Sequence, residues 1–329
     1  MSYEARPQRT TRRHLLRLSA AACAGGVLPL GCRSGEPEAA VSRPPPDFTV
    51  AFLTDPHVFA DKGAPDGFAR SVRHALEQRP APELIITGGD LAFDVLRTDV
   101  EAADAQYDLF ERGLDGVRIP VHHTLGNHDL LGVYPESPLE PDHPRWGKAY
   151  FLERFGLERP YYSFDWEGWH FVVLDTLDTV EVEGENGAPR EEYRGYVDAE
   201  QLAWLADDLA VAARPTIVIG HIPLFSNYWE WQRGTAEKIP DRLSVVNAHE
   251  VAKVLVEHPV RLVLAGHLHV IETFRYKGIE LANLGAVSGN WWNGLRDGFQ
   301  EGYSVLELRG DQVEWRYVDY GWEPPAEEA

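Results

Sequence analysis

Thiol chemistry is almost missing from this chain. Of its 329 residues only two are cysteines, Cys23 and Cys32, both in the first tenth of the sequence. The remainder holds no thiol pair, so no disulfide can staple it and no thiolate can ligate a metal there. A long apolar run is lacking as well. The stretch from Leu15 to Leu30 is interrupted by Arg17 and falls short of the roughly 20 apolar residues a spanning helix needs. No repeat of fixed period, no heptad pattern and no second domain is evident, which excludes solenoids and coiled coils. Positive charge is scarce, with 31 Lys and Arg against 52 Asp and Glu for a net charge of −21. Residues 1–32 contain five Arg and one Glu, so the rest is more acidic still. Such a surface repels long polyanions, so nucleic acid is not an expected substrate and small phosphorylated molecules are favoured; the same charge also serves solubility.

What is present begins with an N-terminal address. Thr11-Arg12-Arg13-His14-Leu15-Leu16 resembles a twin-arginine export signal ahead of a modest Ala/Gly/Leu stretch. A plain basic segment for the general secretory route is the alternative. At Gly31-Cys32 the leader ends like a lipoprotein signal, although Pro29 stands where an aliphatic residue is usual, so a lipidated Cys32 would be the means of membrane attachment. The expected organisation is an export signal over 1–32, a Pro-rich linker over 33–46, one domain over 47–322 and an acidic tail over 323–329. The expected location is exported, periplasmic or otherwise extracytoplasmic, with the twin-arginine translocase as a transient partner. An exported body without disulfides must draw its stability from its core, and its length suffices for one large domain.

Five short blocks place metal-capable side chains after apolar runs. Asp55-Pro56-His57 follows FTVAFLT, Gly89-Asp90 follows ELIITG, and Gly126-Asn127-His128-Asp129 follows IPVHHTL. Gly220-His221 follows PTIVI, and Gly266-His267-Leu268-His269 follows RLVLA. Each run reads as a buried strand, so the blocks are expected at strand ends on one rim of a sheet, where one site collects them. Carboxylate, imidazole and amide ligands without thiolate suit Mn, Fe, Zn or Co and do not choose among them. Two such ions about 3.5 to 4 Å apart suit attack on phosphorus.

In order and spacing the blocks resemble the signature of the calcineurin-like metallophosphoesterase superfamily, D-x-H, G-D, G-N-H-D/E, H and G-H-x-H, over roughly residues 47 to 310. The resemblance implies two divalent metal ions, one held by Asp55, His57, Asp90 and His269 and the other by Asp90, Asn127, His221 and His267, with Asp90 bridging. A hydroxide shared by the two ions would attack the ester of a small phosphorylated substrate, a phosphate monoester or diester; nucleotide pyrophosphates and cyclic nucleotides are the alternatives. A surface binding protein that keeps the fold without turnover is the alternative class, and the metallo-β-lactamase type lacks its H-x-H-x-D-H cluster here. His128 would contact phosphate or protonate the leaving oxygen. Asp129 would orient His128 or cap the next turn. In purple acid phosphatases the third residue after the G-D aspartate is an iron-binding tyrosine; here it is Phe93, so a purple ferric centre is not expected. Asp94 reads as a helix N-cap, with a supporting place behind the ligands as the alternative.

The implied fold is of the α/β class, a four-layer α-β-β-α sandwich of two mixed β-sheets with the dinuclear site at the C-terminal ends of strands. Helices are expected over Asp66 to Glu77, Asp99 to Gly113, Asp198 to Ala213 and Val246 to His258. A hairpin is expected over Tyr161 to Thr176, turning at Asp165 to Gly168, with Asp175 ending its second strand. From Val270 onward VIETFRY, IELANLGAV, GYSVLELRG and QVEWRYVD follow one another, which predicts an antiparallel second sheet. Two aromatic loops, one with Trp229 after His221 and one with Trp291 and Trp292, are candidates for stacking on substrate, with core packing as the other use of such rings.

Overall fold

The computed structural model describes residues 45–184 and 189–325. The expected leader, nearly all of the linker and the end of the acidic tail lie outside the described residues. In chain order the strands are β1 (Phe48–Leu53), β2 (Leu84–Thr87), β3 (Val121–His123), β4 (Tyr162–Trp166), β5 (Trp169–Val173), β6 (Leu177–Glu183), β7 (Pro189–Gly195), β8 (Thr216–Ile219), β9 (Val260–Ala265), β10 (Glu272–Tyr276), β11 (Ile279–Asn283), β12 (Gly302–Arg309) and β13 (Gln312–Asp319). The helices are α1 (Ala64–Leu76), α2 (Val100–Gly113), α3 (Ala149–Phe155), α4 (Ala199–Ala212), α5 (Tyr228–Arg233) and α6 (Ala248–Leu255).

Alternation along the strands builds the layers, because successive side chains of a strand point to opposite faces. Val50 and Phe52 of β1 meet Ile217 and Ile219 of β8 and Leu262 and Leu264 of β9 in a core between two sheets. Ala51 and Leu53 face the other way, into a core shared with Phe68 and Val72 of α1 and Tyr107 and Phe110 of α2. On the second sheet Val172, Val218 and Val263 pack toward Leu205 and Leu209 of α4 and Val251 and Leu255 of α6. The result is helices, sheet, sheet, helices. One sheet runs β13-β12-β1-β2-β3 and the other β10-β11-β9-β8-β5-β4, both mixed.

Two expectations are corrected here. The late strands do not make a sheet of their own. β12 pairs antiparallel with β1 and carries β13 at the edge of the first sheet, while β11 pairs parallel with β9 and carries β10 at the edge of the second. Each hairpin thus closes a different sheet, since each has apolar residues to cover and a free edge to pair. The five blocks therefore do not share one sheet: three leave β1, β2 and β3, and two leave β8 and β9, so the site spans the rims of both sheets.

Helix boundaries follow their caps. Asp99 accepts a hydrogen bond from the Ala102 amide at 2.9 Å and Asp198 from Gln201 at 2.7 Å, which starts α2 and α4 where the sequence placed those aspartates. The β4–β5 hairpin turns at Glu167-Gly168, both with positive φ, later than expected because Asp165 and Trp166 still pair in β4. The separate two-stranded ribbon β6–β7 had no counterpart in the sequence reading, and the segment after His221 is the helix α5 rather than a loop.

Candidate metal centre

The rims of the two sheets hold seven side chains in one cluster. β1 delivers Asp55 and His57, β2 delivers Asp90, and the single 3-10 turn Asn127–Asp129 after β3 delivers Asn127. His221 follows β8, and His267 and His269 follow β9. All are buried except His267, which is partly covered. Five of the seven, Asp55, His57, Asp90, His267 and His269, have positive φ between 42° and 71°. Such backbone costs roughly 1 to 3 kcal/mol per residue and persists only where its surroundings enforce it, as at functional sites.

The four imidazoles share one hydrogen-bonding pattern. His57 Nδ1 donates to the Phe93 carbonyl at 3.2 Å and His221 Nδ1 to the Gly88 carbonyl at 2.8 Å. His269 Nδ1 donates to the Gly289 carbonyl at 2.5 Å, and His267 Nε2 to the Arg242 carbonyl at 2.8 Å. A carbonyl only accepts, so each of these nitrogens carries the proton and the other ring nitrogen of the neutral ring is a bare lone pair. Those lone pairs converge. His57 Nε2 lies 3.1 Å from His269 Nε2, His221 Nε2 lies 3.1 Å from Asn127 Oδ1, and His267 Nδ1 is buried with no hydrogen-bond partner among the described residues. Acceptors facing acceptors at such distances call for cations between them.

Asp90 divides the cluster into two halves. Its Oδ1 accepts the His128 amide at 2.8 Å, whereas Oδ2 lies 3.5 Å from His57 Nε2 and 3.2 Å from His221 Nε2. One oxygen is thus adjacent to both halves, Asp55, His57 and His269 on one side and His221 and His267 on the other, with ligand atoms in each group within 4.8 Å of one another. Electrostatics agree. Burial holds His57 and His267 down to about 3, so both rings are neutral and able to ligate. Burial works against charge on Asp55, yet His269 beside it draws its carboxyl down to about 2. Asp90 falls well below the usual carboxylate range despite burial, under the influence of His221 and His128. Burial disfavours a charged His221, but Asp90 lifts it to about 9: without other cations, a proton is drawn to the centre.

The remaining candidate residues separate by contact. The His128 ring packs edge-on to His57 with centroids 4.8 Å apart, and its Nδ1 has no hydrogen-bond partner among the described residues. The Asp129 carboxylate does not reach that ring. It is buried and accepts from the amides of Leu91 at 3.0 Å, Ala92 at 3.2 Å and Gly126 at 2.9 Å and from the Tyr107 hydroxyl at 2.7 Å, so it braces the loops that carry Asp90 and Asn127. The carboxylate nearest the ring is Asp94, 3.8 Å from His128 Nδ1. Asp94 caps no helix; it accepts from the Leu96 amide at 3.0 Å and from Arg97 at 2.5 Å. Phe93 stacks on Phe59 with ring centroids 4.2 Å apart and has no ligand atom. Asp175 pairs with Lys148 and accepts the Leu177 amide, away from the cluster.

Of the tryptophans, Trp292 is corrected from substrate contact to core. It is 1% exposed, and its indole N–H is shared between the Pro56 and His57 carbonyls at 3.0 and 3.1 Å, which pins the loop of the first block. Trp291 lies 4.5 Å from the His269 ring and 5.9 Å from the His57 ring by centroids, as a wall of the centre. Trp229, in α5, carries Arg233 over its ring.

A two-sheet α/β sandwich with acceptor-only clusters on either side of a shared carboxylate is a metallohydrolase framework for two divalent ions. The family follows from the sequence match: residues 48–271 fit the model of the calcineurin-like phosphoesterases, and the chain belongs to that family, whose chemistry is phosphoester hydrolysis at a dinuclear divalent metal centre. Among curated proteins it is similar to purple acid phosphatase 22 of Arabidopsis thaliana, 24% identical over 252 residues covering 74% of this chain and 50% of that protein. Probable purple acid phosphatase 20 of the same plant is 23% identical, covering 74% and 51%. The chain thus spans about half the length of the curated relatives it matches. Among solved structures, a dimetal phosphatase from Danio rerio superposes with a TM-score of 0.57 at 16% identity, covering 84% of this chain and all of that one. GAP50, the anchor in the inner membrane complex of Plasmodium, gives 0.51 at 16% identity over 83% and 85%.

Proposed function

We propose that this protein is an exported hydrolase of small phosphate monoesters or diesters. One metal would be held by Asp55, His57, Asp90 and His269, the other by Asp90, Asn127, His221 and His267. The observation that carries the reading is the set of four imidazoles, each with one N–H held by a backbone carbonyl and the other nitrogen turned toward Asp90 or its neighbours. When bound, the two ions supply a nucleophile from water near neutral pH and neutralise charge on the phosphoryl oxygens. The chain's own residues do the rest. Asn127 and His128 face the phosphoryl position, His128 donates a proton to the leaving oxygen, and Trp291 walls one flank. General-acid help of this kind is typically worth about 10² to 10⁴ in rate.

A fold neighbour described as an anchor is a reminder that this sandwich alone does not decide for turnover. Here every ligand position is occupied by a side chain able to ligate, which favours catalysis over a binding role. Export rests on the Arg12-Arg13 leader and on the absence of cysteine after Cys32. Among the described residues no helix is long and apolar enough to cross a membrane. The test is Asp90→Asn against a panel of p-nitrophenyl phosphate, bis-p-nitrophenyl phosphate, cyclic nucleotides and nucleotide diphosphate sugars. The variant should lose at least one metal and nearly all turnover; two retained metals with a normal rate would sink the assignment.

A further inference from the structure

The β6–β7 ribbon is the part of the fold that the five blocks do not account for, and it reaches the metal centre. Its base is tied to the segment 240–246: the Gly195 amide donates to the Asp241 carbonyl at 2.7 Å and the Val246 amide to the Gly195 carbonyl at 2.9 Å. The same segment holds the ligand histidine, because the Arg242 carbonyl accepts from His267 Nε2. Ribbon and segment together line a cavity of about 420 Å³ that includes Tyr193 and Arg242.

Tyr193 is placed by three contacts. Its ring is 8% exposed, stands edge-on to His267 with centroids 6.5 Å apart, and stacks on Tyr134 at 6.3 Å. Tyr134 is itself fixed, its hydroxyl donating to Glu192 at 2.5 Å. The Tyr193 hydroxyl, by contrast, has no hydrogen-bond partner among the described residues and is not one of their buried orphan atoms, so it is open to a ligand. Arg242 is exposed and its guanidinium forms no ion pair among the described residues. Tyr193 thus stands against the ligand His267 and shares a cavity wall with Arg242.

We propose that Tyr193 and Arg242 form an anion clamp beside the His221–His267 half of the centre, the hydroxyl donating to a non-bridging phosphoryl oxygen and the guanidinium pairing with the same phosphate. A planar guanidinium with unused donors matches a tetrahedral oxyanion, and a phenol adds one directed hydrogen bond. The clamp also supplies positive charge at the mouth of a site on a strongly acidic protein, where a small anion would otherwise be repelled.

This inference rests on the phosphoester reading, and its test separates the two. Binding of inorganic phosphate to the metal-loaded protein is measured by calorimetry for the wild type, Tyr193→Phe, Arg242→Ala and Arg242→Lys, with metal content and melting temperature alongside. Hydrogen bonds to charged groups predict a loss of about ten-fold or more in affinity for Tyr193→Phe and Arg242→Ala. Both metals and the melting temperature should be retained, because His267 is held by the Arg242 backbone and not its side chain. Arg242→Lys should recover part of the loss, and Arg242→Ala should flatten the salt dependence of binding. In turnover Arg242→Ala should raise KM more than it lowers kcat, and Tyr193→Phe should lower kcat. Phosphate affinity unchanged in both variants overturns the clamp while leaving the phosphoesterase reading in place. Phosphate bound through both residues by a protein that turns over no ester supports the clamp and overturns that reading.

Discussion

Gly126→Ala is a one-methyl change whose effect can be worked out in detail. Gly126 has an ordinary extended backbone, φ −106°, so alanine is not excluded by its dihedral angles. It is excluded by space: a Cβ there would lie 2.0 Å from the Asp90 amide nitrogen and 2.2 Å from Asp90 Oδ1. Real Cβ contacts almost never fall below 3.0 Å, so the loops after β2 and β3 must separate by about 1 Å, and overpacking of this kind costs about 1 to 3 kcal/mol. In a domain of this size that corresponds to a fall in melting temperature of roughly 2 to 10 °C. The larger consequence is functional. Asp90 Oδ2 lies 3.2 Å from His221 and 3.5 Å from His57, and a displacement of about 1 Å at such a centre typically costs about 10²-fold in rate. The assay is metal content by mass spectrometry, kcat on p-nitrophenyl phosphate, and melting with and without added metal. Metal-free melting isolates the packing term, and the difference on adding metal reports the damaged site. A variant that keeps two metals and a rate within about three-fold of wild type would refute the close approach of the two loops.

Four further outcomes are expected. His128→Ala should retain both metals and lose most with poor leaving groups, so that a plot of rate against leaving-group pKa steepens; Asp94→Asn should shift the plot in the same direction by less, and a lost metal in His128→Ala would instead make His128 a ligand. Trp292→Phe removes the indole donor shared by Pro56 and His57 and should cost about 1 to 3 kcal/mol of stability, read by denaturant unfolding. His170 lies between Asp165 and Asp208, each at 2.8 Å; burial opposes its charge but the carboxylates raise its pKa. Its stabilisation is therefore fully present below about pH 6.5 and lost as pH rises through the raised folded value, so His170→Asn should lower the melting temperature more at pH 5.5 than at pH 9, and an equal deficit at both would refute the ion-pair account. Changing Arg12 and Arg13 to Lys should trap precursor in the cytoplasm, and unchanged export would point to the general secretory route.

The parts of this molecule visible in its sequence are those where a side chain's type and spacing carry the information. β1, β2, β8 and β9 are apolar-rich runs followed by a ligand, and α2 and α4 begin where Asp99 and Asp198 cap them. The partners that orient the imidazoles were not visible, because Gly88, Phe93, Arg242 and Gly289 act through backbone carbonyls that any residue could supply. Sheet membership of the late strands was likewise hidden. β10 to β13 are similar hairpin strands, and only the free edges beside β1 and β9 decide which sheet each closes. Asp129 was misread for another reason: adjacency to His128 in sequence suggested contact, but the 3-10 turn points the two side chains apart and brings Asp94 nearer the ring. The ribbon β6–β7 is too charged and too exposed to show an apolar pattern, so Tyr193 gave no signal until the fold set it against His267.

The account stands or falls on two cations sharing Asp90. The most direct measurement is a crystal structure of the metal-loaded protein with anomalous diffraction recorded at the metal absorption edge. It should show two peaks about 3.5 to 4 Å apart, one against Asp55, His57 and His269, the other against Asn127, His221 and His267, with Asp90 Oδ2 between them. A single ion, or a pair that leaves His221 and His267 unligated, would contradict it.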